Sequence, residues 1–237
     1  MLWTLASLFF CWLFIREFLR RRFARAGYDQ PDSRPLDKTY LAIVGVLALA
    51  LAWPPLHTWR FERRLTRIAN QLADTRHARV HCNTVADTLL DPESMSIGHA
   101  NFETGQIVIQ HPWCGYLMDY LDHPARASRV ELASLNMFTH ESMHVRGERN
   151  EARTECQAVQ RNYRAARLLG VPDSIARRNA LEYYHGDYQE RGRIGGFQAA
   201  YYSDECAPGK AMDEQLPDST WAQNQSLSTP VSRVRTR

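Results

Sequence analysis

The stretch Thr139–Cys156, THESMHVRGERNEARTEC, contains the residues on which the fold and the chemistry of this chain depend. His140 and His144 are four residues apart, so on a helix they share one face and can present imidazole nitrogens to one metal ion. Glu141 lies beside that face, where a carboxylate can take a proton from a metal-bound water and later deliver it to a leaving group. The spacing therefore predicts a zinc site of the kind that hydrolyses a substrate.

The residues around these histidines predict a buried helix. It begins at Ala127 or Ser128, and its apolar side chains point in nearly all directions, as in a helix enclosed by its own domain: Val130, Leu132, Leu135, Met137, Phe138, Met143 and Val145. Two histidines and a glutamate would be costly to bury there without a partner such as a metal ion. Gly147 is a natural C-terminal cap, and a second helix is predicted from about Asn150 to Leu169.

The motif resembles the active site of the zincin metallopeptidases. HExxHxxG, residues 140–147, matches the signature of that superfamily residue for residue. In the family, the glycine lets the chain turn back after the active-site helix. Metzincins such as the astacins have a third histidine where this sequence has Arg149 and Asn150. Instead, Asn150, Glu151 and Glu155 form NExxxE, which is similar to the NExxxD of the thermolysin-like gluzincins.

The resemblance implies a role for each polar residue of the motif. His140, His144 and Glu151 are the expected ligands of Zn²⁺, and Glu141 is the expected catalytic base. Glu155 is expected to orient a ligand histidine by a hydrogen bond to its other ring nitrogen. The choice between Glu151 and Glu155 as third ligand stays open. The alternative for both is a solvated helix start, where acidic side chains interact favourably with the helix dipole.

A further catalytic role is expected for His185, in the run EYYHGDY. Together with a tyrosine such as Tyr184 or Tyr202, it could stabilise the oxyanion of a tetrahedral intermediate. The other six histidines belong to no motif and are predicted to be structural or exposed: His57, His77, His81, His99, His111 and His123.

Two apolar runs predict a membrane anchor over residues 1–59. The run from Leu2 to Ile15 has fourteen uncharged residues. It would rise roughly 21 Å as a helix, short of the ~30 Å hydrocarbon core, so Arg16 and Arg20 would need to snorkel. A buried or interfacial helix is the alternative for this run. The run from Thr39 to Trp59 has no charge over twenty-one positions and is predicted to span the membrane.

The cysteines indicate the compartment of the second part of the chain. Cys82, Cys114, Cys156 and Cys206 form an even set, as expected for two disulfides in an oxidising compartment. We predict the pairs Cys82–Cys114 and Cys156–Cys206, each bracketing one half of the domain, although four cysteines allow three pairings. Buried free thiols are the alternative. The basic residues do not decide which side of the membrane the domain lies on, because the loop 16–38 contains seven of them and the segment after the second run contains six.

Residues 60–206 are predicted to form an α+β domain that is mainly helical, with a small β-sheet. The remaining element predictions are a helix over 60–76, strands at Val80 to Cys82 and Gln106 to Gln110, and helices from Pro112 to Leu121 and Pro172 to Tyr188. Residues 83–104 are rich in turn-forming residues. The tail from Ala207 to Arg237 lacks apolar periodicity and is predicted to be mostly disordered.

The sequence as a whole predicts a multi-pass membrane protein with an extracytoplasmic zinc metallopeptidase domain. Its expected partners are the lipid bilayer and a peptide or protein substrate. The formal net charge of +3 and the lack of an aromatic-rich basic motif argue against nucleic acid. Two alternatives remain: a non-enzymatic membrane protein with a structural or vestigial metal site, and a zinc amidase acting on cell-wall material. The oligomeric state does not follow from these patterns.

Overall fold

The computed structural model of this chain describes residues 2–24 and 38–222, with side chains from 5 to 20 and from 39 to 222. The described residues are mainly helical and contain one three-stranded sheet, as the sequence predicts. The chain divides into two compact units, Met1–Phe61 and Glu62–Arg237. The sequence motif lies entirely in the second unit.

The first unit contains helix α1 (Leu2–Ala24) and the start of helix α2 (Lys38–Leu72). Among the described residues, one helix is long and apolar enough to cross a membrane, Thr39–Leu72. The prediction of two spans is therefore corrected to one candidate span. The run from Leu2 to Ile15 is helical, but its fourteen uncharged residues are too few to cover the hydrocarbon core on their own.

Helix α2 continues from the apolar run into the second unit without a break, so the amphipathic helix predicted over 60–76 is its last part. Leu65, Ile68 and Leu72 form the buried face that their spacing predicts. The helix ends at Leu72, four residues earlier than predicted.

The sheet is mixed and consists of β1 (Arg79–Cys82), β2 (Gly98–Ala100) and β3 (Gln106–Ile109). Its order is β1-β3-β2, with β1 parallel and β2 antiparallel to the central β3. Strands β1 and β3 confirm the prediction. Strand β2 and the short helix α3 (Val85–Leu90) lie in the segment that has only turn-forming composition in the sequence. A three-residue strand is too short to show an alternating pattern.

Helices form the rest of the second unit. They are α4 (Trp113–Asp122), α5 (Arg129–Arg146), α6 (Glu151–Leu168), α7 (Asp173–Tyr183) and α8 (Gln189–Ile194). A π-helical turn, Tyr184–Tyr188, joins α7 to α8. Helix α5 begins with a reciprocal cap between Ser128 and Glu131 and packs against α6.

Gly147 sets the turn between α5 and α6. Its φ of +114° lies in the region that favours glycine, and its N–H donates to the carbonyl of His144. The chain therefore reverses immediately after the second histidine of the motif. Asn150 caps α6 by accepting from the N–H of Arg153, so Glu151 is the first helical residue.

Two disulfides are present, with the predicted pairing. Cys82 and Cys114 join the end of β1 to α4, with Cα atoms 5.8 Å apart. Cys156 and Cys206 join α6 to the segment that follows α8, with Cα atoms 5.5 Å apart. Both separations are within the range that a disulfide requires. Each bond ties an element near the motif to a part of the chain distant in sequence.

The prediction of a disordered tail from 207 is wrong for residues 207–222, which pack along α6. The Thr220 hydroxyl donates to the carbonyl of Val159, Glu214 pairs with the buried Arg161, and Trp221 is buried. The segment is held by hydrogen bonds and one large aromatic residue, and such contacts leave no periodic pattern in a sequence. The domain therefore extends beyond its predicted end at 206. Residues 223–237 lie outside the described residues.

Candidate metal centre

Two helix ends form the centre. His140 and His144 belong to the last two turns of α5, and both are buried. Glu151 opens α6, and its side chain is 40% exposed. Because the chain reverses at Gly147, the first turn of α6 faces the last turns of α5. The carboxylate of Glu151 can therefore approach both imidazoles from the solvent side.

The three side chains converge on one point. His140 Nε2 lies 3.0 Å from His144 Nε2 and 3.2 Å from Glu151 Oε2. His144 Nε2 lies 3.5 Å from the same carboxylate oxygen. His140, His144 and Glu151 thus form a group that could hold a metal ion.

The other ring nitrogens fix the tautomers of both histidines. His140 Nδ1 is 2.8 Å from Glu155 Oε2, and His144 Nδ1 is 2.8 Å from the carbonyl oxygen of Glu148. A carboxylate and a carbonyl can only accept, so we assign the protons to Nδ1. Each Nε2 is then the ring nitrogen left to bind either a second proton or a metal ion. Hydrogen bonds of this kind orient histidine ligands in metal sites.

The electrostatics of the group also favour a cation. Burial opposes the charged form of His140, but hydrogen bonds with Glu151 and Glu155 outweigh it and raise its pKa to about 10. The two histidines lower the pKa of Glu151 to about 2. For His144, burial is likewise outweighed by Glu151, and its pKa is raised. The carboxylates therefore create a site in which positive charge is strongly stabilised.

Glu141 is buried beside the two histidines. Burial raises the pKa of its carboxyl, and the nearby charges of His140 and His144 act in the opposite direction. No hydrogen bond to its carboxylate occurs within the described residues. A buried glutamate with a raised pKa and free acceptor oxygens is suited to accept a proton and release it again.

Glu155 lies behind His140 and is almost fully buried. Its Oε1 accepts from Asn136 at 2.8 Å and Tyr183 at 3.0 Å, and pairs with Arg191 at 2.7 Å. Burial would raise the pKa of Glu155, but the charge of Arg191 and the hydrogen bond with His140 outweigh it and keep the pKa low. Glu155 is therefore an ionised acceptor for the Nδ1–H of His140.

The structure does not bring His185 to this group. The π-helical turn buries Tyr184 and leaves His185 exposed, with its ring 5.0 Å from that of Tyr184. In the described part of the chain, no contact joins His185 to the two histidines of α5. The hydroxyl of Tyr184 donates to the carbonyl of Cys206, and that of Tyr202 to Asp204. Their predicted partnership with His185 at the metal centre has no geometric support.

Tyr201 is the tyrosine that faces the centre. Its ring centre lies 5.8 Å from that of His140. Burial and the negative charges of Glu151, Glu141 and Glu155 raise its pKa, so its hydroxyl stays protonated. The sequence shows two adjacent tyrosines, Tyr201 at the end of a 3₁₀ turn, Gly196–Tyr201, and Tyr202 directly after it, and no pattern in the sequence indicates which of them faces inward.

An open cavity of about 720 Å³ lies between strand β2 and the segment that contains helix α3, and its lining includes His99, Phe102 and Arg149. Phe102, in its wall, contacts the ring of His144 edge-on with centres 5.3 Å apart, and the guanidinium of Arg149 lies over Phe102. His99, on the edge strand β2, also lines the cavity and contributes to the electrostatic environment of Glu141. Phe102 thus links the wall of the cavity to a candidate metal ligand.

Comparisons with protein-family models, curated proteins and solved structures find no match for this chain. Any functional assignment therefore depends on the site itself. The structure brings together His140, His144 and Glu151, with Glu155 in contact with the far side of His140.

Zinc binding is expected to weaken as the pH falls. Below about pH 10, His140 carries a proton that must leave before Nε2 can bind a metal, while Glu151 stays ionised. For one displaced proton, the affinity should fall about tenfold per pH unit. Chelator competition between about pH 6 and about pH 9 measures this slope. His185→Gln, which changes an exposed histidine, should leave it unaltered, and a flat profile would contradict the raised pKa.

Proposed function

We propose that this chain is a membrane-anchored, zinc-dependent metallopeptidase. The convergence of His140 Nε2, His144 Nε2 and Glu151 Oε2 beside the buried Glu141 carries this proposal. The resemblance of the motif to the gluzincins points to the same activity.

The donor set favours zinc. Ligand atoms of a tetrahedral zinc ion with bonds of about 2.0–2.1 Å lie about 3.3–3.4 Å apart, and those of this group lie 3.0, 3.2 and 3.5 Å apart. Two imidazoles and one carboxylate are typical of catalytic zinc, whereas Ca²⁺ and Mg²⁺ prefer oxygen ligands. Three protein ligands leave one position for water or substrate, while structural zinc sites are closed.

The chemistry follows from the placement of Glu141. Zinc bound at this site would polarise a substrate carbonyl and make water acidic enough to attack it near neutral pH. Glu141 takes the proton of the attacking water and delivers it to the leaving amine. Glu155 holds His140 with its Nε2 toward the centre throughout. A structural or vestigial metal site, the non-enzymatic alternative, would have no need of a buried base beside it.

Tyr201 replaces His185 as the candidate for stabilising the oxyanion. Its ring lies next to His140, and its raised pKa keeps the hydroxyl available as a hydrogen-bond donor. Such a donor contributes to catalysis when it faces the oxygen on which negative charge develops.

A peptide substrate is favoured by strand β2. This strand pairs only with β3 in the described sheet, so it is an edge strand with which an extended segment could pair. Gly98 lets β2 pack directly on α5, since a Cβ there would lie 2.7 Å from the sulfur of Met137. A peptide added to this edge would run beside both α5 and the cavity. No comparable feature favours an amide in cell-wall material.

The three acidic residues are expected to fail differently when changed. Glu141→Gln should retain zinc and lose nearly all hydrolysis, because it removes the base and keeps the ligands. Glu151→Ala should lower both zinc content and activity. Glu155→Ala should cost ~10–100-fold in affinity or activity. Metal analysis and hydrolysis of an unfolded protein substrate measure both quantities.

Glu182→Gln, on an exposed part of α7, is the matched control and should resemble the wild type. If Glu155→Ala strips the zinc and Glu151→Ala does not, Glu155 is the third ligand. If Glu141→Gln keeps full peptidase activity, the chain is not a peptidase of this kind.

Tyr201→Phe is expected to lower kcat by roughly 10²–10³-fold without loss of zinc, because one oxyanion donor is removed. Tyr202→Phe changes the neighbour of Tyr201, and His185→Gln changes the residue that the sequence predicted for oxyanion stabilisation. Both variants should have activity close to that of the wild type. Steady-state kinetics with zinc analysis test all three variants. Loss of activity in His185→Gln alone would restore the original assignment.

We place the catalytic domain on the extracytoplasmic side of the membrane, anchored by α2. Two disulfides in the second unit support this side, since disulfides persist in oxidising compartments. A cysteine introduced at the exposed Lys210 should react with a membrane-impermeant maleimide in intact cells. The parent chain is the control, and reaction only in opened cells would reverse the topology.

A further inference from the structure

The two oxygens of Glu155 have separate partners. Oε2 accepts from His140 Nδ1 at 2.8 Å. Oε1 accepts hydrogen bonds from Asn136 Nδ2 at 2.8 Å and from the Tyr183 hydroxyl at 3.0 Å, and it forms an ion pair with Arg191 Nη1 at 2.7 Å. The orientation of the carboxylate toward His140 is thus fixed by the three side chains on its other oxygen.

Arg191 differs from the other two because it carries a charge. A carboxylate buried as deeply as that of Glu155 costs several kcal/mol unless it is paired. His140 forms a hydrogen bond with this carboxylate. Among the arginine and lysine side chains in the described chain, that of Arg191 forms the ion pair with it. Its own side chain is 21% exposed, so the ion pair is largely shielded from solvent.

Arg191 is itself held in place by aromatic neighbours. Its Nη2 donates to the Tyr183 hydroxyl at 2.8 Å, and that hydroxyl donates in turn to Glu155 Oε1. The guanidinium carbon lies 5.7 Å from the ring centre of Tyr201. One guanidinium therefore contacts the support of a candidate metal ligand and the candidate oxyanion donor.

The π-helical turn allows Tyr183 and Arg191 to face Glu155 together. In an uninterrupted α-helix, residues eight apart are turned by about 80° relative to each other. The turn Tyr184–Tyr188 lies between them and adds one residue to the helical repeat. This brings the two side chains to within about 20° of each other, and π-turns of this kind are frequent at functional sites.

We propose that Arg191 is a positioning residue that sets the metal affinity of the site. It acts through Glu155, which it holds in the orientation that fixes His140 for metal binding. The inference rests on the proposed metal centre and adds to it a residue from a helix that the sequence motif does not include. Within the described residues, Arg191 makes no hydrogen bond or ion pair with His140, His144 or Glu151.

The test is the zinc affinity of the full chain in detergent, measured by competition with a chelator. Arg191→Gln should weaken zinc binding ~10–100-fold, as expected for the loss of a group supporting a ligand. Arg191→Lys keeps the charge but not the contact with Tyr183, so its affinity should be intermediate. Arg193→Gln, on the same helix and exposed, is the matched control and should bind zinc as the wild type does.

A double-mutant cycle with Glu155→Gln separates positioning from general damage to the fold. If Arg191 acts through Glu155, then Arg191→Gln should change the affinity by less than about twofold once the carboxylate is gone. The double variant contains neither charge of the pair, so its affinity can be compared with that of Glu155→Gln even if Arg191→Gln alone does not fold.

Two outcomes overturn the inference alone: unchanged affinity in Arg191→Gln, or an equal loss with and without the Glu155 carboxylate. A wild-type chain that binds no zinc overturns the proposed function together with it.

Discussion

The hydrogen bond from His140 Nδ1 to Glu155 is the interaction on which the candidate centre depends. This hydrogen bond keeps the ring proton of His140 on Nδ1 and orients Nε2 toward His144. It requires the buried carboxylate of Glu155, near the start of α6. That carboxylate in turn requires Arg191, Tyr183 and Asn136, which belong to three different helices. The packing of α5 against α6 and α7 therefore has a polar centre, and its geometry is set by one ionised group.

The local part of this arrangement could be predicted from the sequence. HExxHxxG places two histidines on one helical face, and Gly147 has the positive φ that the end of α5 requires. Strands β1 and β3 and the bounds of α5 and α6 follow from apolar spacing and caps within a few residues. The cysteine pairing also came out as predicted, because each pair brackets one half of the domain.

The long-range part could not be predicted, for identifiable physical reasons. The π-helical turn rotates the side chains of α8 relative to those of α7. A pattern with a 3.6-residue period therefore does not indicate that Arg191 and Tyr183 face the same way. Tyr201 is the last residue of a 3₁₀ turn, and a turn this short leaves no sequence pattern that indicates which way the side chain faces. Strand β2 has three residues, and residues 207–222 are held by hydrogen bonds to α6 that have no periodic signature. In each case the contact joins residues far apart in the chain.

The order of these residues along the chain has a consequence for biosynthesis. Helix α5, with the two histidines of the candidate centre, is translated before Tyr183, Arg191 and Tyr201, and before Cys206, the partner of Cys156 beside Glu155. Trp221, which is buried in the segment along α6, is translated later still. A nascent chain thus holds both histidines well before Glu155 has its counter-charge or α6 its full cover. The candidate centre can therefore be complete only after the residues up to Tyr201 have left the ribosome.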